Sequence, residues 1–128
     1  MPYDEFNKID EEYFDTVLEE DFFFEGDITL ESSLIVKGSI KGKIESGGLL
    51  IVGPNSVIEA NVKAKNLQCF GKIIGNVAVK EEAYFHNPSQ LTGDLSVPVL
   101  TLEKGCTLNG KVHMVTSMKQ EENYAKKN

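Results

Sequence analysis

Ile40-Lys41-Gly42-Lys43-Ile44 alternates apolar or small residues with lysines, the period-2 pattern of a strand with one face buried and one in water. The same apolar-x-small-x-apolar unit recurs as Phe24/Gly26/Ile28, Ile58/Ala60/Val62, Ile73/Gly75/Val77, Leu91/Gly93/Leu95 and Leu108/Gly110/Val112. Its central residues are spaced 16, 18, 15, 18 and 17 apart, so the chain repeats about every 17 residues. Such a period is the mark of a solenoid, in which each repeat buries its apolar face only against its neighbours.

Two further ladders keep the same step. Short apolar strand starts follow one another as Leu34-Ile35-Val36, Leu50-Ile51-Val52, Leu67-Gln68-Cys69, Tyr84-Phe85-His86 and Leu100-Thr101-Leu102. A corner column runs through Gly38, Gly53, Gly71, Asn87 and Gly105, where Asn87 reads as the stand-in for glycine at a position of positive φ. Pro54 and Pro88 sit at these corners, and Pro98 lies between Val97 and Val99 where one wall turns into the next. Coils of this length, with two or three short strands each, predict an all-β, single-domain parallel β-helix of about six rungs. At roughly 4.8 Å per rung the body is on the order of 25 to 30 Å long.

The charge is unevenly spread. Residues 1–21 hold nine acids against Lys8, a net of −8, while residues 22–115 balance nine acids with nine lysines. The tail 116–128 adds +1, completing the total of −7. All 13 basic residues are lysine, and a body without arginine is poorly suited to bidentate contacts with phosphates and base edges, so no nucleic-acid partner is expected. The acidic start also argues against docking on anionic lipid. No apolar run approaches the roughly 20 residues of a membrane span, and the first residues lack a basic secretory start, so an intracellular protein is expected.

Three segments follow: an acidic arm over 1–21, a β-helix over 22–115, and a disordered tail over 116–128. In the arm Ile9, Tyr13, Phe14, Val17 and Leu18 recur at helical spacing, and the segment reads either as a short amphipathic helix or as disorder.

The repeated Gly-x-Ile/Val triplets (Gly38-Ser39-Ile40, Gly42-Lys43-Ile44, Gly71-Lys72-Ile73, Gly75-Asn76-Val77, Gly110-Lys111-Val112), in six rungs between two short tails, resemble the bactofilins, bacterial cytoskeletal proteins that form polymers. The resemblance covers 22–115, and Phe22-Phe23-Phe24-Glu25-Gly26-Asp27-Ile28 looks like the first coil of that family. It implies a right-handed, triangular β-helix that assembles end to end into nonpolar filaments without nucleotide, on the cytoplasmic face of the inner membrane, scaffolding cell-shape and cell-wall enzymes. Many members begin with a hydrophobic membrane-targeting peptide. This chain begins with a polar, acidic stretch, so direct membrane binding is not expected.

An uncovered end of a β-helix presents unpaired backbone groups, a template for strand addition. The expected N-terminal polymerisation face is Phe22, Phe23, Phe24 and Ile28, and the C-terminal one is Leu100, Leu102, Leu108, Val112 and Met114. Burying about five such side chains per end gains on the order of 10 kcal/mol. Association costs about 4 to 15 kcal/mol, so backbone pairing across the joint decides the outcome. An arm folded over the phenylalanines would close one end, whereas an arm projecting as solvated charge would leave it open.

Catalysis is not expected, nor any cofactor or metal. Left-handed β-helix acyltransferases keep strict six-residue spacing and a general-base histidine; Ile28, Leu34 and Ile40 fall six apart, but the later rungs slip out of that phase. Zinc enzymes of similar shape need three histidines, and only His86 and His113 exist. His86 reads as a partly exposed ring beside Phe85. The outward lysines Lys41, Lys43, Lys63, Lys65, Lys72, Lys80 and Lys111, mixed with Ser, Thr and Glu, leave no large apolar patch on the walls. A non-polymerising scaffold that binds a partner is the remaining alternative. Cys69 and Cys106, 37 apart in apolar surroundings, read as core or near-surface residues.

Overall fold

Parallel strands that return to the same place once per coil bring equivalent positions of successive repeats into register, and the backbone ladder does so apart from irregularities between Ser46 and Leu49 and between Ala64 and Asn66. The computed structural model describes residues 16–115. Its strands are β1 (Thr16–Leu18), β2 (Phe23–Leu30), β3 (Leu34–Val36), β4 (Ser39–Val52), β5 (Val57–Cys69), β6 (Lys72–Ile74), β7 (Val77–Phe85), β8 (Gln90–Thr92), β9 (Leu95–Val97), β10 (Val99–Leu102), β11 (Thr107–Asn109) and β12 (Val112–Met114). The ladder pairs are all parallel, and no helix occurs among the described residues.

The pairings define a parallel β-helix of six rungs and three walls. The first wall stacks β1, β3, residues 50–52, 67–69 and 83–85, and β10. The second stacks residues 23–26, 39–42 and 57–60 with β6, β8 and β11. The third stacks residues 27–30, 43–46, 61–64 and 77–79 with β9 and β12. Inside runs one apolar core, in which Leu34, Leu50, Leu67 and Ala83 form one column and Ile40, Ile58, Ile73 and Leu91 another.

The corner between the second and third walls explains the repeat. Gly26, Gly42, Gly75, Gly93 and Gly110 all have φ between +130° and +145°, which L side chains rarely adopt. A Cβ on Gly42 would strike the carbonyl oxygen of Gly26 in the rung before it, and a Cβ on Gly93 would strike that of Gly75. Ala60 occupies the same column with no positive φ, which is why a methyl group fits there alone. The residues that follow form a polar ladder across the rungs. The Asn76 N–H donates to Asn61 Oδ1 at 3.2 Å, the Asp94 N–H to Asn76 Oδ1 at 3.1 Å, and the Lys111 N–H to Asp94 Oδ1 at 3.1 Å. Each rung thereby satisfies backbone donors of the next at a bend where the strand ladder is interrupted.

Four expectations are corrected here. The solenoid begins before residue 22: Thr16–Leu18 is a strand, Val17 and Leu18 lying in register with Ile35 and Val36 rather than on a helix. Two apolar residues at i and i+1 cannot separate the two periods, and the ladder with β3 decides between them. Ile9, Tyr13 and Phe14 lie outside the described residues, as does the tail from 116. Asn87 does not have a positive φ; it precedes Pro88 across a cis peptide bond. His86 is buried, its ring stacked between Phe70 and Tyr84 with centroids 4.1 Å away on each side, not beside Phe85. Phe85 points into the core. The walls are not uniformly polar outside: Ile35 and Ile51 face out of the first wall and are buried with Phe70.

Candidate assembly surfaces at the two ends

A strand inside the stack has neighbours on both edges, and the terminal rungs do not. At the N-terminal end β1 pairs with β3 and β2 with β4, each through one edge. At the other end β10, β11 and β12 pair only with β7, β8 and β9. Each end therefore offers a row of backbone donors and acceptors without a ladder partner among the described residues, spread over three walls.

The core columns run out through these ends. Leu100 and Leu102 continue the columns of Ala83 and Phe85, Leu108 that of Leu91, and Val112 and Met114 those of Leu95 and Val97. All five thus point inward, yet Leu102 is 46% and Met114 57% exposed because no rung follows. Leu100 and Leu108 are half-buried against the core. At the N-terminal end Phe24 and Ile28 occupy the columns of Ile40 and Ile44, and Leu18 and Leu30 those of Val36 and Ser46. Leu18 and Leu30 were missed in the sequence; their signal was their position one rung before Val36 and Ser46. Phe23 is in register with Ser39, on the outer side of the second wall, and is 61% exposed. Phe22 sits at the corner before it, stacked on Phe24 with ring centroids 6.1 Å apart.

The two ends differ in charge. Rung one (residues 16–31) carries Glu19, Glu20, Asp21, Glu25, Asp27 and Glu31 and no lysine, a net of −6. The last rung (residues 99–115) has Glu103 against Lys104 and Lys111, a net of +1. Glu25 and Asp27 lie over Lys41 and Lys43 of the second rung, and Lys37 Nζ is 3.3 Å from Glu19 Oε1, so the first rung's acids are met by lysines from below only.

Chemistry-bearing groups elsewhere are tied into structure. Glu103 accepts hydrogen bonds from the Asn87 N–H at 2.8 Å and the Tyr84 hydroxyl at 3.2 Å, and the His86 ring is 3.6 Å away. The Asn87 donor, followed by the Tyr84 hydroxyl and the His86 charge, holds this carboxyl below its ordinary value, outweighing desolvation. Burial pushes the Cys69 thiol up to about 12, which makes it inert. No group of three or more metal-ligating residues exists among the described residues, nor any helix long and apolar enough to cross a membrane.

The family described as "Bactofilin: Polymer-forming cytoskeletal" matches residues 16–113. This chain belongs to the bactofilin family. Bactofilin BacO of Myxococcus xanthus is 26% identical over 99 residues, covering 77% of this chain and 79% of BacO. Bactofilin BacP of the same organism is 29% identical over 99 residues, 77% of this chain but 41% of the longer BacP. Among solved structures, the cytoskeletal bactofilin BacA determined by solid-state NMR superposes with a TM-score of 0.69 at 28% identity, covering 75% of this chain and 91% of BacA. The Thermus thermophilus bactofilin, reconstructed by cryo-EM as double helical filaments, has the same fold, with a TM-score of 0.68 at 22% identity over 76% of this chain and 98% of that one. The family start at residue 16 coincides with β1, six residues before the repeat is visible in the sequence.

Proposed function

We propose that this chain polymerises end to end, without nucleotide, into nonpolar cytoplasmic filaments that scaffold cell-shape or cell-wall machinery. The observation that carries this reading is the pair of open ends, where in-register core columns and unpaired strand edges meet solvent together. A joint between two such ends continues all three ladders and buries Leu102, Val112 and Met114, or Phe24 and Ile28, as an interior rung would. Glycines that follow the rung corners rather than a phosphate-binding loop support independence from nucleotide. Membership of a polymer-forming family supports the self-association step.

Negative-stain electron microscopy of the purified chain in physiological buffer without added nucleotide tests it. Filaments as thin as one β-helix are expected. A monodisperse sample at every concentration would instead favour a scaffold that binds partners without polymerising.

A further inference from the structure

At the corner between the third wall and the first, successive rungs do not match in length. Two residues, Gly47 and Gly48, fill it in the second rung, Lys65 alone in the third, and Lys80 with Glu81 in the fourth, so the ladder slips on both sides of Lys65. Such a mismatch bends a strand away from its neighbours. Here a groove of about 760 Å³ runs along the corner, lined by residues of all six rungs from Glu31 to Val115. Its bed is small or apolar, formed by the buried Ser46, Ala64 and Val79 with Ala78 beside them. Its margin carries Lys63, Lys65 and Lys80, all exposed. Lys65 Nζ is 3.8 Å from Glu81 Oε2, whereas Lys63 and Lys80 have no ion-pair partner among the described residues. Towards the N-terminal end Glu45 is held 3.2 Å from Lys43, and Glu31 has no such partner among the described residues.

The dimensions select the shape of an occupant. From the first rung to the sixth is roughly 24 Å, at about 4.8 Å per step. Spread over that length, the groove has a cross-section of only about 30 Å². A helix about 10 Å across needs roughly 80 Å², so a single extended chain fits and a helix does not. About seven residues at roughly 3.3 Å each span it. The charges select the sequence. Three ammonium groups in adjacent rungs, two of them unpaired, call for carboxylates, and the apolar bed calls for aliphatic side chains on alternate residues. Glu31, two rungs nearer the N-terminal end, calls for a cation. With the other acids of the first rung it also disfavours an anionic membrane surface.

We propose that this groove binds an extended acidic peptide segment of a partner protein, with its carboxylates on Lys63, Lys65 and Lys80 and its aliphatic side chains over Ala64, Ala78 and Val79. The groove lies on the flank of the stack and not on the terminal strand edges. The proposal therefore deepens the scaffolding part of the function proposed above, giving each subunit of a filament one partner site, and does not depend on the end joints.

Fluorescence anisotropy of a fluorescein-labelled heptapeptide, Lys-Ala-Val-Glu-Val-Glu-Val, added to the full-length chain at about 50 mM sodium chloride tests this. Saturable binding is expected, at least about tenfold tighter than that of the charge-reversed Glu-Ala-Val-Lys-Val-Lys-Val. Lys63→Glu with Lys80→Glu is expected to weaken it at least about tenfold, with the β-sheet circular dichroism unchanged. Ala78→Phe, which keeps every lysine but fills the groove, is expected to do the same. Lys41→Glu with Lys72→Glu, an equal charge change on the second wall, is expected to leave the affinity within about twofold. No saturable binding by the parent, equal loss in the two lysine pairs, or binding that survives Ala78→Phe overturns the proposal. Sedimentation with phosphatidylglycerol vesicles that Lys63→Glu with Lys80→Glu abolishes, in a chain that ignores the peptide, would assign the groove to lipid instead. Peptide bound by a non-pelleting Val112→Lys chain but not by parent filaments would assign it to contacts between copies, which also overturns the proposal. Pelleting is followed in parallel, so the two readings fail separately: filaments that bind no peptide refute the groove alone, and a peptide-binding chain that never pellets refutes assembly alone.

Discussion

The Asn87 backbone N–H donates to Glu103 Oε1 at 2.8 Å, joining the last rung to the one before it at the corner where the strand ladder lapses. Because this bond, with that of the Tyr84 hydroxyl, favours the charged carboxylate, the folded-state pKa of Glu103 lies below its unfolded value. A group lowered on folding stabilises the fold above its unfolded pKa, and that contribution is lost as pH falls through the folded pKa. Glu103→Gln is therefore expected to lower the melting temperature at pH 7 and to narrow its gap to the parent as pH falls below the ordinary carboxylate value of about 4.5. Parallel melting curves at pH 7, 5, 4 and 3 check this; a gap independent of pH rules out the carboxylate's charge as the cause.

The glycine corner makes a sharper demand. Gly93→Val forces a β-branched residue to positive φ and drives its Cβ into the Gly75 carbonyl, so a loss of several kcal/mol, on the order of 3 or more, is expected in urea unfolding. Ala60→Gly, in the same column without positive φ, is expected to cost only about 0.5 to 1 kcal/mol. Equal effects at the two positions would mean that the corner is governed by burial alone.

That contrast shows why most of the fold was legible. In-register stacking imposes one residue class on Gly26, Gly42, Ala60, Gly75, Gly93 and Gly110, so the constraint is written six times and the period is plain. Features written once were not legible. The first strand has three residues, and Val17-Leu18 satisfies a helical pattern as readily as an extended one until Leu34–Val36 is seen beside it. At Asn87 the residue type fitted positive φ, but the chain turns there in another way. Three consecutive apolar residues in Leu34-Ile35-Val36 and again in Leu50-Ile51-Val52 did signal a wall buried on both faces. Expecting outward positions to be polar hid it. Of the end residues, those aligned with a core column were placed by period, whereas Phe23 was chosen for its character and lies on the outer side of its wall.

Phe23 and Phe24 consequently separate the joint from its surroundings. Phe24→Asp puts a charge into the column of Ile40 at the open end, while Phe23→Ser changes an outward position over Ser39. Sedimentation of Phe24→Asp is expected to leave the protein in the supernatant, and Phe23→Ser to leave pelleting near the parent level. At the other end Val112→Lys and Met114→Lys are expected to give folded, non-pelleting chains, since both side chains are largely exposed before assembly and buried only by a following rung. Pelleting of Val112→Lys at the parent level would place the joint elsewhere.

The two cysteines offer a probe of the same end without mutation. Cys69 is buried with its thiol raised to about 12, whereas Cys106 on the last rung is half-buried, its Sγ 3.2 Å from the Phe85 carbonyl oxygen. At pH 8 a disulfide-exchange reagent is expected to titrate one thiol per folded chain rapidly, and both after denaturation. Assembly is expected to slow the rapid thiol, because a following rung shields it. Titration of two thiols in the folded chain would show that the core opens on the time scale of labelling.

Charge sets the last expectation. Six acids without a lysine surround the first rung, so a joint between two N-terminal ends brings −6 against −6 at separations below a Debye length of about 10 Å at 0.1 M salt. The core columns at that end, led by Phe24 and Ile28, favour the joint at every ionic strength, while the repulsion is screened as salt rises. The pelleted fraction is accordingly expected to increase between about 50 mM and 500 mM sodium chloride. Replacing Glu20 and Asp21 with Gln and Asn is expected to shift that rise to lower salt. A joint between unlike ends, −6 against +1, has the opposite dependence, so assembly that weakens with salt would assign the filament a head-to-tail polarity.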